Sequence, residues 1–232
     1  MKKIGMIGGL SWVSTAVYYR RLNELMQERL GGASSAHLLL ESVNRQDYID
    51  AAERRGDDAG ARDIVLRAAR AVERGGAAFL VMACNGAHRF IPEIQPQIGI
   101  PFLHIAETTA KAVNAAGLRS VALLGMRQTM EGEFYPNALQ RHGISAVTPD
   151  ETEKSFIHDT ILDELVRNDF RDATRARYVD IIQDLHAQQG AEGAILGCTE
   201  IPLLVSDDDV DVPVFSTTEI HCRAAIDAAL SD

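Results

Sequence analysis

Cysteine is scarce in this chain. Three occur in 232 residues, odd in number and widely spaced, which argues against a disulfide framework and points to a reducing, cytoplasmic setting. No Cys-x-x-Cys pair or compact histidine cluster is present, so no metal is expected, although Cys84, His88 and Cys198 are ligand-type residues. A basic stripe is also missing. The formal charge is -10, and Arg20-Arg21 and Arg54-Arg55 are isolated pairs, so neither a nucleic acid nor an anionic membrane is an expected partner. No apolar run approaches the roughly 18 residues a spanning helix needs. Met1-Lys2-Lys3 resembles a secretory leader only in charge, because the apolar run behind it breaks at Gly5, Gly8 and Gly9. The Gly8-Gly9 pair lacks the third glycine of a dinucleotide fingerprint and reads as a tight turn.

What the chain does have is enough apolar residues, 46%, for an ordinary core, and an alternation of strand-like and helix-like runs. Strands are expected at Ile4 to Ile7, Leu38 to Val43, Ala77 to Ala83, Ile100 to Ile105, Ser120 to Leu124, Ile144 to Val147, Gly193 to Leu196 and Val212 to Phe215. Between them, helical spacing marks Ser14 to Leu30, Asp63 to Arg74, Glu107 to Ala116, Glu131 to Arg141, Ile157 to Val166, Ala173 to Gln188 and the stretch from Thr218. Repeated βα units imply mostly parallel sheets covered by helices. The pattern also restarts half-way. Ile7-Gly8 corresponds to Leu124-Gly125, Cys84 to Cys198, and Pro101-Phe102-Leu103 to Pro213-Val214-Phe215, in the same order and at nearly constant spacing. Two similar α/β halves are expected, residues 1–114 with 212–232 and residues 115–211, with a ligand cleft between them.

Two elements carry the chemistry. Phe79-Leu80-Val81-Met82-Ala83-Cys84-Asn85 and Ala194-Ile195-Leu196-Gly197-Cys198-Thr199 each end an apolar strand in a cysteine followed by a small polar residue. Ligands of open α/β sheets bind at the carboxyl ends of strands, so the two thiols are candidate acid/base partners. Cysteine suits proton transfer at carbon because its ordinary pKa lies near working pH. Backbone N–H groups at the turns after Asn85 and Thr199 can hold a carboxylate and stabilise charge. A lone buried cysteine is most often packing; two in matched settings are not. Cys222, inside His221-Cys222-Arg223-Ala224, has no such setting and reads as structural.

The run Gly8-Gly9-Leu10-Ser11-Trp12-Val13-Ser14-Thr15-Ala16-Val17-Tyr18-Tyr19, the element Ala83-Cys84-Asn85-Gly86-Ala87-His88 and the element Gly197-Cys198-Thr199-Glu200-Ile201 together resemble the aspartate/glutamate racemase superfamily over nearly the whole length. That resemblance implies two pseudo-symmetric α/β domains with mostly parallel four-stranded sheets and an active-site cleft between them. It implies racemisation of an amino acid by two cysteines without PLP or any other cofactor, and a homodimer. Cys84 and Cys198 then take the acid/base roles, and Leu10, Ser11, Asn85, Gly86 and Thr199 the substrate-binding ones.

Several assignments have two readings. His88 orients its loop or is a structural histidine. Glu200 tunes the second thiol or is a helix-start carboxylate, and Ser14 lines the cleft or caps a helix. Family members often carry threonine where this chain has Gly86, so one hydroxyl contact is lost. Members selective for acidic substrates hold the side-chain carboxylate with basic residues, for which Arg45 and Lys154 stand nearest; Phe156 at the latter position implies a larger or less acidic substrate. Aspartate or glutamate is the leading expectation. The alternatives are an isomerase or decarboxylase of the same scaffold acting on dicarboxylates or hydantoins, and a small-molecule binding module.

Overall fold

The computed structural model describes residues 1–231. Within it the chain divides into two compact units, Met1–His104 with the C-terminal helix from His221 onward, and Ile105–Ile220.

The first unit begins β1 (Ile4–Gly8), α1 (Trp12–Leu30), β2 (Leu38–Ser42), α2 (Arg45–Ile49), α3 (Asp58–Arg74), β3 (Phe79–Met82) and α4 (Ile91–Ile94). Its sheet is parallel in the order β2-β1-β3, with Ile4 opposite both Leu38 and Phe79. β1 is buried along its whole length, as a central parallel strand covered on both faces must be. Gly5 permits this crowding, since a Cβ there would stand 2.8 Å from the Cβ of Ala77. One face packs against α1 and the C-terminal helix through Ile4, Met6, Tyr18, Leu22, Met26 and Ile226. The other packs against α3 through Ile7, Val65, Leu66, Val72 and Leu80.

The second unit contains α5 (Ile105–Ala115), β4 (Ser120–Leu124), α6 (Arg127–Met130), α7 (Phe134–Gln140), β5 (Ser145–Val147), α8 (Glu151–Asp163), α9 (Asp172–Gln189), β6 (Ala194–Leu196) and β7 (Val214–Ser216); α10 (Thr217–Leu230) leads back into the first unit. All four strands are parallel, in the order β5-β4-β6-β7. The sheet is covered by α5 and α7 on one face and by α8 and α9 on the other.

The α/β class with two parallel sheets is as expected, and the two sheets share one topology: each middle strand has the next strand in sequence on one side and the cysteine-bearing strand on the other. Three details differ. The first sheet has three strands instead of four, because the segment expected at Ile100 to Ile105 makes only a single parallel bridge, Leu80 to Phe102. The Leu80 N–H donates to the Pro101 carbonyl and the Leu103 N–H to the Leu80 carbonyl, both at 2.8 Å, but the ladder stops there because Pro101 has no N–H to give and α5 already begins at Ile105. The helix expected at Glu131 to Arg141 begins three residues later, as α7, and a separate single turn, α6, precedes it where a loop was expected. The unit boundaries fall at 104/105 and 220/221 instead of 114/115 and 211/212. α5 packs on α7, and β7 pairs with β6, so both belong with the second sheet.

Candidate active site

In the first unit, the turn after β1 is shaped by Gly9, at φ +83°, whose N–H donates to Thr15 Oγ1 at 2.9 Å. Ser11 caps α1, accepting from the Ser14 N–H, so of the two serines it is Ser11 that caps this helix. Arg45, at the start of α2 just beyond β2, donates from Nη1 to the Leu10 carbonyl at 3.1 Å. Leu10, Ser11 and Arg45 are therefore brought together at the carboxyl end of β1 and β2.

β3 delivers Cys84 to the same sheet end, and the thiol-bearing residue is half-buried. Asn85 is buried behind it, and Gly86–Phe90 form a single 3-10 turn. So short a turn carries little dipole, and any anion there would be held by individual N–H groups. A side chain at Gly86 would meet open space, which makes this glycine an unfilled position and not a conformational requirement. His88 is fully buried and packs beside His104 and His221, with ring centroids 5.1 and 5.6 Å away.

In the second unit, β6 runs into Gly197 and Cys198. Gly197 donates to the Leu124 carbonyl at 2.6 Å, and Cβ atoms on Gly197 or Gly125 would come within 3 Å of the neighbouring backbone. These two glycines let β4 and β6 stay in contact to their ends, which fixes where the next residue emerges. Cys198 is buried, and its thiol donates to Glu200 Oε2 at 3.0 Å. The Thr199 hydroxyl donates to the same oxygen at 2.9 Å. Glu200 is only 2% exposed, so its contact with the thiol takes place out of bulk water. Burial lifts the phenols of Tyr135 and Tyr178 well above their ordinary pKa, so both buried rings of this unit stay neutral.

Lys154 lies on α8, one turn from Glu151 and from His158. That face meets the start of α6, where Arg127 binds Glu131, Glu151 and Ser155 and gives its backbone N–H to His158 Nδ1. Phe156 points the other way, its ring 6.1 Å from that of Tyr178 in the unit's own core. Of the two, Lys154 is thus on the face toward the end of β4.

Sequence reading missed Tyr18, His104 and His221 behind Cys84, because they come from three remote segments. It also missed Thr129, whose buried hydroxyl has no hydrogen-bond partner and whose methyl crowds Gly125 and Gly197. Cys222 is fully buried between α10 and the first sheet, in line with a structural role. Among the described residues, no group of three His, Cys, Asp or Glu is arranged to hold a metal ion, and no helix is long and apolar enough to cross a membrane.

The family model for Asp/Glu/Hydantoin racemase matches residues 7–225. The chain belongs to the Asp/Glu/Hydantoin racemase family. It is thereby an isomerase of the racemase class. Among solved structures it is similar to a candidate Asp/Glu racemase from Yersinia pestis, at 40% identity over the whole of both chains with a TM-score of 0.90. It is also similar to an aspartate racemase homologue from Pyrococcus horikoshii OT3, at 33% identity over the whole of both chains with a TM-score of 0.85. Among curated relatives, the broad specificity amino-acid racemase RacX of Bacillus subtilis (strain 168) is 21% identical over 231 residues, 98% of each chain.

Proposed function

We propose that this family member is a cofactor-independent amino-acid racemase in which Cys84 and Cys198 exchange protons with the substrate Cα from opposite faces. The thiolate of one cysteine takes the Cα proton, and the electron pair of the broken C–H bond remains on Cα, delocalised into the carboxylate. The thiol of the other then gives its proton to the opposite face. One turnover leaves the two sulfurs with exchanged protonation states, and the reverse direction uses them in the opposite order. A single base would tend to return the same enantiomer.

The observation that carries this reading is the matched delivery of the two cysteines, each from the strand next to the middle strand of a sheet with the same topology. The Cys198–Glu200 hydrogen bond supports it further, since a buried carboxylate beside the thiol is a ready proton acceptor. Asn85, Gly86 and Thr199 supply donors for the substrate carboxylate, with Leu10 and Ser11 at the neighbouring strand end.

Aspartate or glutamate is the proposed substrate, with Arg45 and Lys154 as its side-chain cations. A broader range has one specific observation in its favour. Gly86 leaves open space, and the relative RacX carries broad specificity in its name. Both substrate readings are tested by incubating the reduced protein in deuterated water with a panel of L- and D-amino acids, without PLP or metal. Cα deuterium should enter along with loss of optical rotation, and the panel members that exchange fastest name the substrate. Absence of exchange across the whole panel would end the racemase reading.

A further inference from the structure

Behind Cys84 lies a histidine group that proton transfer itself does not use. His88 bonds the Cys84 carbonyl oxygen through Nδ1 at 2.7 Å, and since a carbonyl only accepts, Nδ1 carries the proton. The backbone N–H of His88 donates to the Asn85 carbonyl at 3.0 Å, so the same residue closes the loop twice. Its Nε2 is buried with no hydrogen-bond partner. Burial, aided by His104 and His221, holds the His88 imidazole well below its ordinary pKa, and it is neutral. His221 is locked in turn: its Nε2–H donates to the Leu103 carbonyl at 2.8 Å, and its Nδ1 accepts from the Tyr18 hydroxyl at 3.0 Å. A neutral, braced histidine thus grips the peptide that follows the first cysteine.

We infer that His88 is a positioning residue that fixes the Cys84–Asn85 peptide, and with it the aim of the Cys84 thiol and of the Asn85 N–H. In a planar trans peptide the carbonyl and the following N–H point in opposite directions. Holding the Cys84 carbonyl toward the buried imidazole therefore turns the Asn85 N–H to the other side, away from the histidine. An N–H placed there is a donor for a thiolate or a substrate carboxylate. Freed from His88, the peptide can rotate, and a carbonyl oxygen would then compete for the place of that donor.

The inference deepens the racemase reading but has a readout independent of it. In the full-length protein, the rate at which iodoacetamide alkylates Cys84 is followed against pH by peptide mass spectrometry, for the native chain, His88→Leu and His88→Asn. Leucine removes the donor, whereas asparagine returns an N–H close to the position of Nδ1. His88→Leu should move the Cys84 alkylation midpoint upward by about half a pH unit or more, and His88→Asn should restore it. On a substrate identified by the exchange panel, His88→Leu should lose roughly 100-fold in kcat, and His88→Asn should recover at least about tenfold of that loss. An unshifted midpoint in a folded His88→Leu, or equal losses in both variants, would overturn the positioning role. If His88→Leu loses its cooperative melt, His88→Asn decides: a folded His88→Asn with a native midpoint supports the role, and one with a shifted midpoint, or failure of both to fold, overturns it. A native chain that racemises nothing on the panel would overturn the racemase reading while leaving the alkylation result to be read.

Discussion

The two cysteine loops share a place in the fold and differ in what stands behind them. Cys84 is half-buried and backed by one neutral histidine, His88, that grips its carbonyl, whereas Cys198 is buried and hydrogen-bonded through its sulfur to a carboxylate. In the first loop the protein controls the direction of a peptide; in the second it controls the proton on sulfur. A pair of bases that must alternate as acid and base has no need of identical surroundings. It needs each thiol to be reachable and reprotonated, and under the proposed mechanism the two loops would meet that need with different residues.

The strongest test of the comparison removes each sulfur in turn. Cys84→Ser and Cys198→Ser should each lower racemisation by about 10³-fold or more, because an alcohol is a far weaker acid and its anion is not populated near neutrality. Cys222→Ser introduces a hydroxyl into the core between α10 and the first sheet, at a cost of roughly 1–3 kcal/mol, and should lower the melting temperature while leaving kcat intact. Comparable racemisation in all three variants, measured by polarimetry, would remove the two-base mechanism.

The histidine backing gives the first unit an acid sensitivity for which the Glu200 loop has no equivalent. Burial lowers the His221 pKa to about 4, below its unfolded value near 6.5. Between those two values the unfolded chain binds a proton that the folded chain does not, so stability rises with pH across the window and falls as pH drops from about 6.5 toward 4. The full difference for this one residue is about 3 kcal/mol. His88 is shifted in the same direction and steepens the fall. Urea unfolding at a series of pH values should show this acid limb in the native chain and a shallower one in His221→Gln, whose amide N–H can still reach the Leu103 carbonyl.

The second loop is probed at Glu200. Glu200→Gln keeps shape and hydrogen bonding but removes the charge that accepts the thiol proton, and kcat should fall by roughly 10- to 100-fold with little change in KM. A primary isotope effect that rises only for the enantiomer deprotonated by Cys198 would sharpen the contrast between the loops. Equal effects on both enantiomers would mean that Glu200 does not act through that sulfur.

How far these residues could be found beforehand depends on how local their signals are. The apolar runs ending in Cys84 and Cys198 are short and contiguous, and so is the Gly8-Gly9 turn, where Gly9 stands at φ +83°. The reading also carried the parallel α/β class, because strands buried on both faces show up as uninterrupted hydrophobic stretches. The failures were failures of competition. Ile100 to Ile105 makes only one bridge to β3 because Pro101 has no N–H to give and the chain turns into α5 at Ile105, so helix formation takes the residues the apolar pattern assigned to a strand. The turn at Arg45–Ile49 and the early start of α3 at Asp58 follow from caps by Asn44 and Asp57, short-range signals that the hydrophobic pattern overrode. The histidine cluster was out of reach for a different reason: His88, His104 and His221 lie far apart in the chain, and only the packing of α10 against the first unit brings His221 to Tyr18 and Leu103.

The smallest expected effect concerns Gly86, the position at which the family resemblance leads one to expect a threonine. A Cβ there meets nothing within 4 Å, and the backbone is not in the left-handed region, so Gly86→Thr should fold with a change in stability within about 1 kcal/mol. Its hydroxyl and methyl would occupy the open space next to Asn85. For aspartate and glutamate, kcat/KM should change by only a few-fold, whereas larger neutral substrates should lose about tenfold, since a pocket discriminates by methyl-sized bulk at roughly 1–3 kcal/mol. Loss of activity toward every substrate alike would mean that the glycine serves the aim of Cys84 and not the width of the pocket. The two loops would then differ in how tightly the backbone is held, and side-chain recognition would fall to Arg45 and Lys154.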